Sequence, residues 1–184
     1  MNGIWERQIR TVRKVLRAIV GSQVLDEARL NTLFCETEEI VNSRPLTPVS
    51  EDPHDLNALT PNHLLRGKAH RCLPMAGPLS EDQYRRRWQH VQFLADQFWK
   101  RWTKEYLPLL RQRSGKIEPR RNFKKGDLVI ITNEDVPRNQ WKLGRVVHAE
   151  PGDDGLVRQV KVRTAQKVYA RPVTKLCFLE GLSE

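Results

Sequence analysis

The spacing of apolar residues changes once along this chain of 184 residues, and the change bounds what it can build. Up to about Arg111 apolar side chains recur every three or four residues, the pitch of helices with one buried face. From Lys125 onward they fall in short β-branched runs with polar residues between them, the pattern of half-buried strands. The expected class is therefore α+β, with the helices first. Hydrophobic residues at 39% suffice for a modest core, and eleven prolines point to irregular connections.

Four stretches follow one another. Residues 1–43 read as two helices. In "GIWERQIRTVRKVL", Trp5, Ile9, Val12 and Leu16 share a face, and Gly21-Ser22 stops the helix. Asp26 is the N-cap of the second, which carries Leu30, Leu33, Phe34, Thr37, Ile40 and Val41 on one face, with Glu36, Glu38 and Glu39 away from it. Residues 44–79 form a connector that Pro45, Pro48, Pro53 and Pro61 keep extended, with one helical turn at "TPNHLL".

Residues 80–122 read as a long basic, Trp-rich helical segment, with the helical pattern running from about Ser80 to Arg111 and broken near Pro108. Its stripe is Trp88, Val91, Ala95, Phe98, Trp102 and Tyr106, with Trp99 beside it. Such aromatics can stack on nucleotides, but at helical spacing they more often form core. Residues 123–180 predict a small barrel of about five strands, with "PGDDG" at 151–155 turning a hairpin. In "VRQVKVRT", Val157, Val160 and Val162 point inward and Arg158, Lys161 and Arg163 outward, the alternation faltering at Gln159.

The net charge of +10 is concentrated in one place. Residues 84–125 hold 13 Lys and Arg against 3 Asp and Glu, and the rest of the chain balances to zero. A localised cationic stretch is the footprint of a polyanion partner. The phosphate-contact candidates are Arg86, Arg87, Lys100, Arg101 and Lys104 on the long helix, then Arg120, Arg121, Lys124 and Lys125 in the tail "RQRSGKIEPRRNFKKG". The strands add Arg145, Arg158, Lys161 and Arg163.

Other chemistries find little support. Cys35, Cys72 and Cys177 are odd in number and far apart, which argues against a disulfide framework. His63, His70 and Cys72 lack the paired spacing of a zinc site. Ser22, Ser43 and Ser50 have no nucleophile-elbow context, and Gly67-Lys68 lacks the rest of a phosphate loop. No apolar run approaches the ~18 residues of a membrane span, and no signal peptide opens the chain, so an intracellular protein without a membrane partner is expected.

"KKGDLVII", "WKLGRVV" and "VRTAQKVYARPVTKL" resemble the SH3-like C-terminal domain, of the DUF5641 type, found in integrases of Pao/BEL-type retrotransposons. "GIWERQIRTVRKVL" is similar to the last helix of the same elements' catalytic core, and "NSRPLTPVS" and "LTPNHLLRG" to the segments that follow it. The resemblance covers nearly the whole chain. It implies helices from the end of a ribonuclease-H-like core, a long linking helix and an SH3-like β-barrel. In that family a triad of two aspartates and a glutamate holds Mg²⁺ or Mn²⁺ for phosphoryl transfer. Glu6 matches the glutamate, and Arg10 and Arg13 on its helix face resemble the basic positions that grip element-end DNA, with Lys14 a further nucleic-acid-binding candidate.

The two aspartates would precede Glu6 and are not in this sequence. The resemblance therefore implies a nuclear, DNA-binding fragment with RNA as a second polyanion, no cofactor, no small-molecule substrate and no strand transfer by itself. A second copy or a full-length integrase is the expected protein partner. The first two helices, lacking the sheet of an intact core, are expected to be poorly packed or to rest on the long helix. Two other readings stand beside this one: a protein-interaction or chromatin-binding module, and part of an active integrase whose gene extends upstream.

Overall fold

A computed structural model describes residues 3–48, 56–67, 82–111, 121–132 and 136–181. Pro53, His70, Cys72 and Arg120 lie outside the described residues. Helix α1 spans Gly3–Val20 and α2 spans Glu27–Asn42, where the Asp26 side chain accepts from the Arg29 N–H and caps the first turn. That bond, helped by the Arg29 side chain, holds the Asp26 carboxyl below its ordinary range. A short pair of strands, β1 (Thr47–Pro48) and β2 (Ala58–Leu59), is followed by α3 (Pro61–Arg66) and the long α4 (Asp82–Arg111). The chain divides into two compact units, Met1–Ser43 with Asn62–Tyr106, and Arg44–Pro61 with Leu107–Glu184.

The helical unit is organised by α4. Val91, Leu94, Ala95, Phe98, Trp99, Trp102 and Tyr106 are all buried, together with Val15 of α1 and Leu33 and Ile40 of α2. Trp102 stacks nearly parallel on Tyr106, centroids 4.7 Å apart, and packs beside Phe98 and Trp99. Trp99 and Trp102 therefore belong to the unit's own core, while Trp88 is half-buried. Polar contacts at the rim tie α1, α2 and the turn between them to α4: Lys14 to Glu105 at 3.1 Å, Gln92 to Glu36 at 2.9 Å, and His90 with Gln23 at 3.0 Å.

Several details differ from the sequence-based expectation. Among the described side chains of α1 Val15 is fully buried, while Ile9 lies at the exposed margin, because the apolar arc is wide and the packed side of it is turned toward Val15. Phe34 is about half exposed. Glu39 is buried rather than solvated: its carboxylate accepts from Asn62 at 2.7 Å and Arg66 at 2.9 Å, both from α3, so a helical turn far along the chain supplies its counter-charge. Pro108 does not break α4. Its missing N–H removes one helical bond, and the helix nevertheless continues through it to Arg111. The connector is not wholly extended either, since Thr47 pairs with Leu59 and Pro48 with Ala58.

The second unit carries β3 (Leu128–Ile131), β4 (Leu143–Pro151), β5 (Val157–Arg163), β6 (Val168–Pro172), a 3₁₀ turn (Val173–Lys175) and β7 (Leu176–Glu180). They form one antiparallel five-stranded sheet in the order β6-β5-β4-β3-β7. The strand number agrees with expectation, but the sheet does not close into a barrel. The edge strands β6 and β7 do not pair. Pro172 ends β6 without a donor, and the 3₁₀ turn then packs Val173 against the core of the sheet.

That core is Val129, Ile131, Val146, Val157, Val160, Val162 and Leu176. The faltering alternation at Gln159 has a physical cause. Ala149 and Pro151 of β4 stand opposite Val160 and Val157, so β5 carries an extra residue there and bulges. Gly144 is required by close approach: a Cβ at this position would collide with the Val162 side chain on the neighbouring strand. The hairpin at Gly152–Gly155 turns as expected, with Gly155 at φ +74°.

Truncating Trp102 to Ala should cost the helical unit about 3–5 kcal/mol, because a fully buried indole leaves a large cavity. The expected readout is a lower urea midpoint in far-ultraviolet circular dichroism.

Candidate nucleic-acid interface

The face of α1 opposite Val15 is set by helical pitch. Arg10, Arg13 and Arg17 follow Glu6 at four, seven and eleven residues, so all four project to one side. Glu6, Ile9, Arg10, Arg13, Lys14, Arg17 and Ala18 line one shallow surface depression. Arg10, Arg13 and Arg17 are exposed and form no ion pair among the described residues. A partner's phosphates there would meet four cations against the one carboxylate of Glu6.

Glu105 joins this face to α4. Its two carboxylate oxygens lie 3.1 Å from Lys14 and 3.9 Å from Arg101, one turn back on its own helix. Lys14 and Arg101 are thereby brought together from different helices. Arg86, Lys100 and Lys104 are exposed on the side of α4 away from the tryptophans, and Arg87 is drawn to 3.9 Å from Asp26. The basic residues singled out in α1 and α4 are thus surface residues of one unit. Arg17 extends their row by a turn and was legible as one more helical step from Arg13, whereas the bridging role of Glu105 depends on packing.

The sheet unit disposes of its cations differently. Arg145 is buried, only 5% exposed, and donates to the Gly126 carbonyl at 3.0 Å, so it is a structural residue rather than an outward phosphate contact. The reason lies in register: Arg145 stands opposite Leu128 on β3, in the middle of the sheet. Arg158 points outward but is engaged by Asp154 through two bonds of 3.0 and 2.6 Å. That pairing, with the Leu156 N–H, holds the Asp154 carboxyl below its ordinary range and raises Arg158 above its own. Arg121 donates at 2.9 Å to Asp127, itself only 1% exposed, and lies 4.8 Å from the centre of the Phe178 ring. Lys125, Lys161 and Arg163 are exposed, as expected, and the Lys124 backbone N–H also donates to Asp127.

The family model of a family of unknown function, DUF5641, matches residues 86–179, just over half of the chain. The chain belongs to the DUF5641 family. The DUF5641 span begins in α4, takes in its cationic outer side and buried tryptophans, and runs through the sheet into β7; α1, with Glu6 and Arg10, lies outside it. No curated protein matches the chain. Among the described residues no helix is long and apolar enough to cross a membrane.

Within this DUF5641 sheet Asp127 is the buried acid on which the approach to β3 depends, accepting from both Arg121 and Lys124. Asp127→Ala should therefore destabilise the protein by about 1–3 kcal/mol through donors left unpaired. A lower thermal midpoint than that of Lys125→Ala, at an exposed position nearby, is the expected measurement.

Proposed function

We propose that this chain binds nucleic acid, DNA in the first place, by gripping phosphates along α1 and α4, and that it is the C-terminal part of a Pao/BEL-type integrase acting in the nucleus. The observation that carries the binding reading is the depression on α1, where Arg10, Arg13, Lys14 and Arg17 outnumber the single acid Glu6 and the three arginines form no ion pair among the described residues. Guanidinium groups suit phosphate oxygens because their planar donors match them two at a time. Contacts of this kind position a duplex and carry little sequence information.

Glu6 heads the same depression, where the integrase reading expects the third carboxylate of a metal site. The donor set does not fit Mg²⁺ or Mn²⁺, which take several converging oxygen ligands. The companions of Glu6 in the depression are Ile9, Ala18 and four cations, and among the described residues no three His, Cys, Asp or Glu side chains group as ligands. The proposed role is accordingly binding without strand transfer by these residues alone.

The test belongs on α1 and not on Arg121, whose loss would also strip the buried Asp127 of a partner. Fluorescence anisotropy on duplex DNA across a salt series should give a steep fall in affinity as salt rises. Reversing Arg10, Arg13 and Arg17 to Glu should flatten the slope of log K against log salt by about 3, roughly 0.9 for each phosphate no longer neutralised. Salt-independent binding, or an unchanged slope in the triple variant, would overturn the reading.

A further inference from the structure

We propose that Tyr169, Lys142, Lys167 and Arg171 form a phosphate-binding site on the sheet unit, separate from the α1 face. Tyr169 lies in β6 opposite Val162, and its ring packs against the core of the sheet, so its position is fixed by the fold. Around that one ring stand the Arg171 guanidinium, 4.5 Å from the centroid, and the Lys142 and Lys167 ammonium groups, each 5.6 Å from it. The three come from different places: the approach to β4, the turn before β6, and β6 itself. None forms an ion pair among the described residues; the Arg171 side chain donates to the Ala170 carbonyl, and the Lys167 backbone N–H, not its ammonium group, donates to the Thr164 hydroxyl.

An aromatic ring attracts a cation through the negative face of its π-system. Three like charges gathered around one ring repel one another, and an anion bound beside them would relieve that repulsion. The chemistry selects the anion. Two ammonium groups supply movable donors, and the guanidinium supplies a planar fork. Three positive charges match the multiply charged oxygens of a phosphate better than a single carboxylate. The shared ligand chemistry is a phosphoryl group, whether from a polynucleotide backbone, a 5′-phosphate end or a small phosphate anion. Neither the family match nor the basic-residue pattern assigns these four residues together. The site does not depend on DNA binding at α1.

The test is a pulse of amine acetylation on the full chain, read by mass spectrometry at each lysine. Inorganic pyrophosphate at about ten times its Kd should slow modification of Lys142 and Lys167 about tenfold, while leaving Lys100 and Lys104 on α4 unchanged. Tyr169→Leu, which keeps an apolar side chain on the core but removes the ring, should abolish the protection. Arg171→Gln should weaken it and leaves the ring in place if the first variant fails to fold. Duplexes with 5′-phosphate or 5′-hydroxyl ends then separate the sources: equal protection by both marks a backbone site, protection by the phosphorylated duplex alone marks an end site, and protection by pyrophosphate alone marks a small-anion site.

The Arg10/Arg13/Arg17 reversal should leave pyrophosphate protection intact, so failure of the α1 reading and failure of this site are distinguishable. Modification of Lys142 and Lys167 at the unprotected rate with every one of these probes would overturn the proposal.

Discussion

The apolar stripe of α4 is the constraint on which the helical unit depends. Trp102, stacked on Tyr106 and flanked by Phe98 and Trp99, commits one side of a 30-residue helix to the interior. Once that side is buried, helical pitch leaves Arg86, Lys100 and Lys104 no place but the surface. The same burial orients α1. With Val15 turned inward, Arg10, Arg13 and Arg17 must face outward. The cationic surface is a geometrical consequence of the core, and no separate element is needed to present it.

The sheet unit uses its charges to hold itself together. Asp127 anchors the approach to β3 through Arg121 and the Lys124 backbone, Asn122 reaches across to Gly155 and Val157, and Arg158 clamps Asp154 beside the β4–β5 turn. A basic residue in a strand can therefore mean cohesion as readily as recognition. What separates Lys161 from Arg158, both exposed on β5, is that only the latter has an acid at the adjacent turn.

Features set by near neighbours in the chain were legible beforehand. The α1 face, the Asp26 cap, the inward valines of β5 and the hairpin at 151–155 all rest on spacing within a turn or a strand. Features that depend on distant partners were not. Glu39 reads as a solvated acid until Asn62 and Arg66 of α3 are placed against it. Arg145 reads as outward-facing until β3 covers it with register Leu128 to Arg145. Closure of the sheet could not be read either, because alternation describes each strand but not whether two edges meet. The continuation of α4 past Pro108 belongs with these, since propensity predicts a stop that one further turn of helix withstands.

The open sheet has a further effect on the protein's behaviour in crowded solution. A strand with one unpaired side invites another strand to dock, and many proteins guard such margins. At β7 the margin is shielded by β1, where Thr47 bonds to Glu180. At β6 the guard is chemical: Pro172 withholds a donor, and Arg171 in the strand and Lys167 just before it set like charge against like charge when two copies approach side by side. The rim that could seed stacking into fibres is also the rim least able to tolerate its own image.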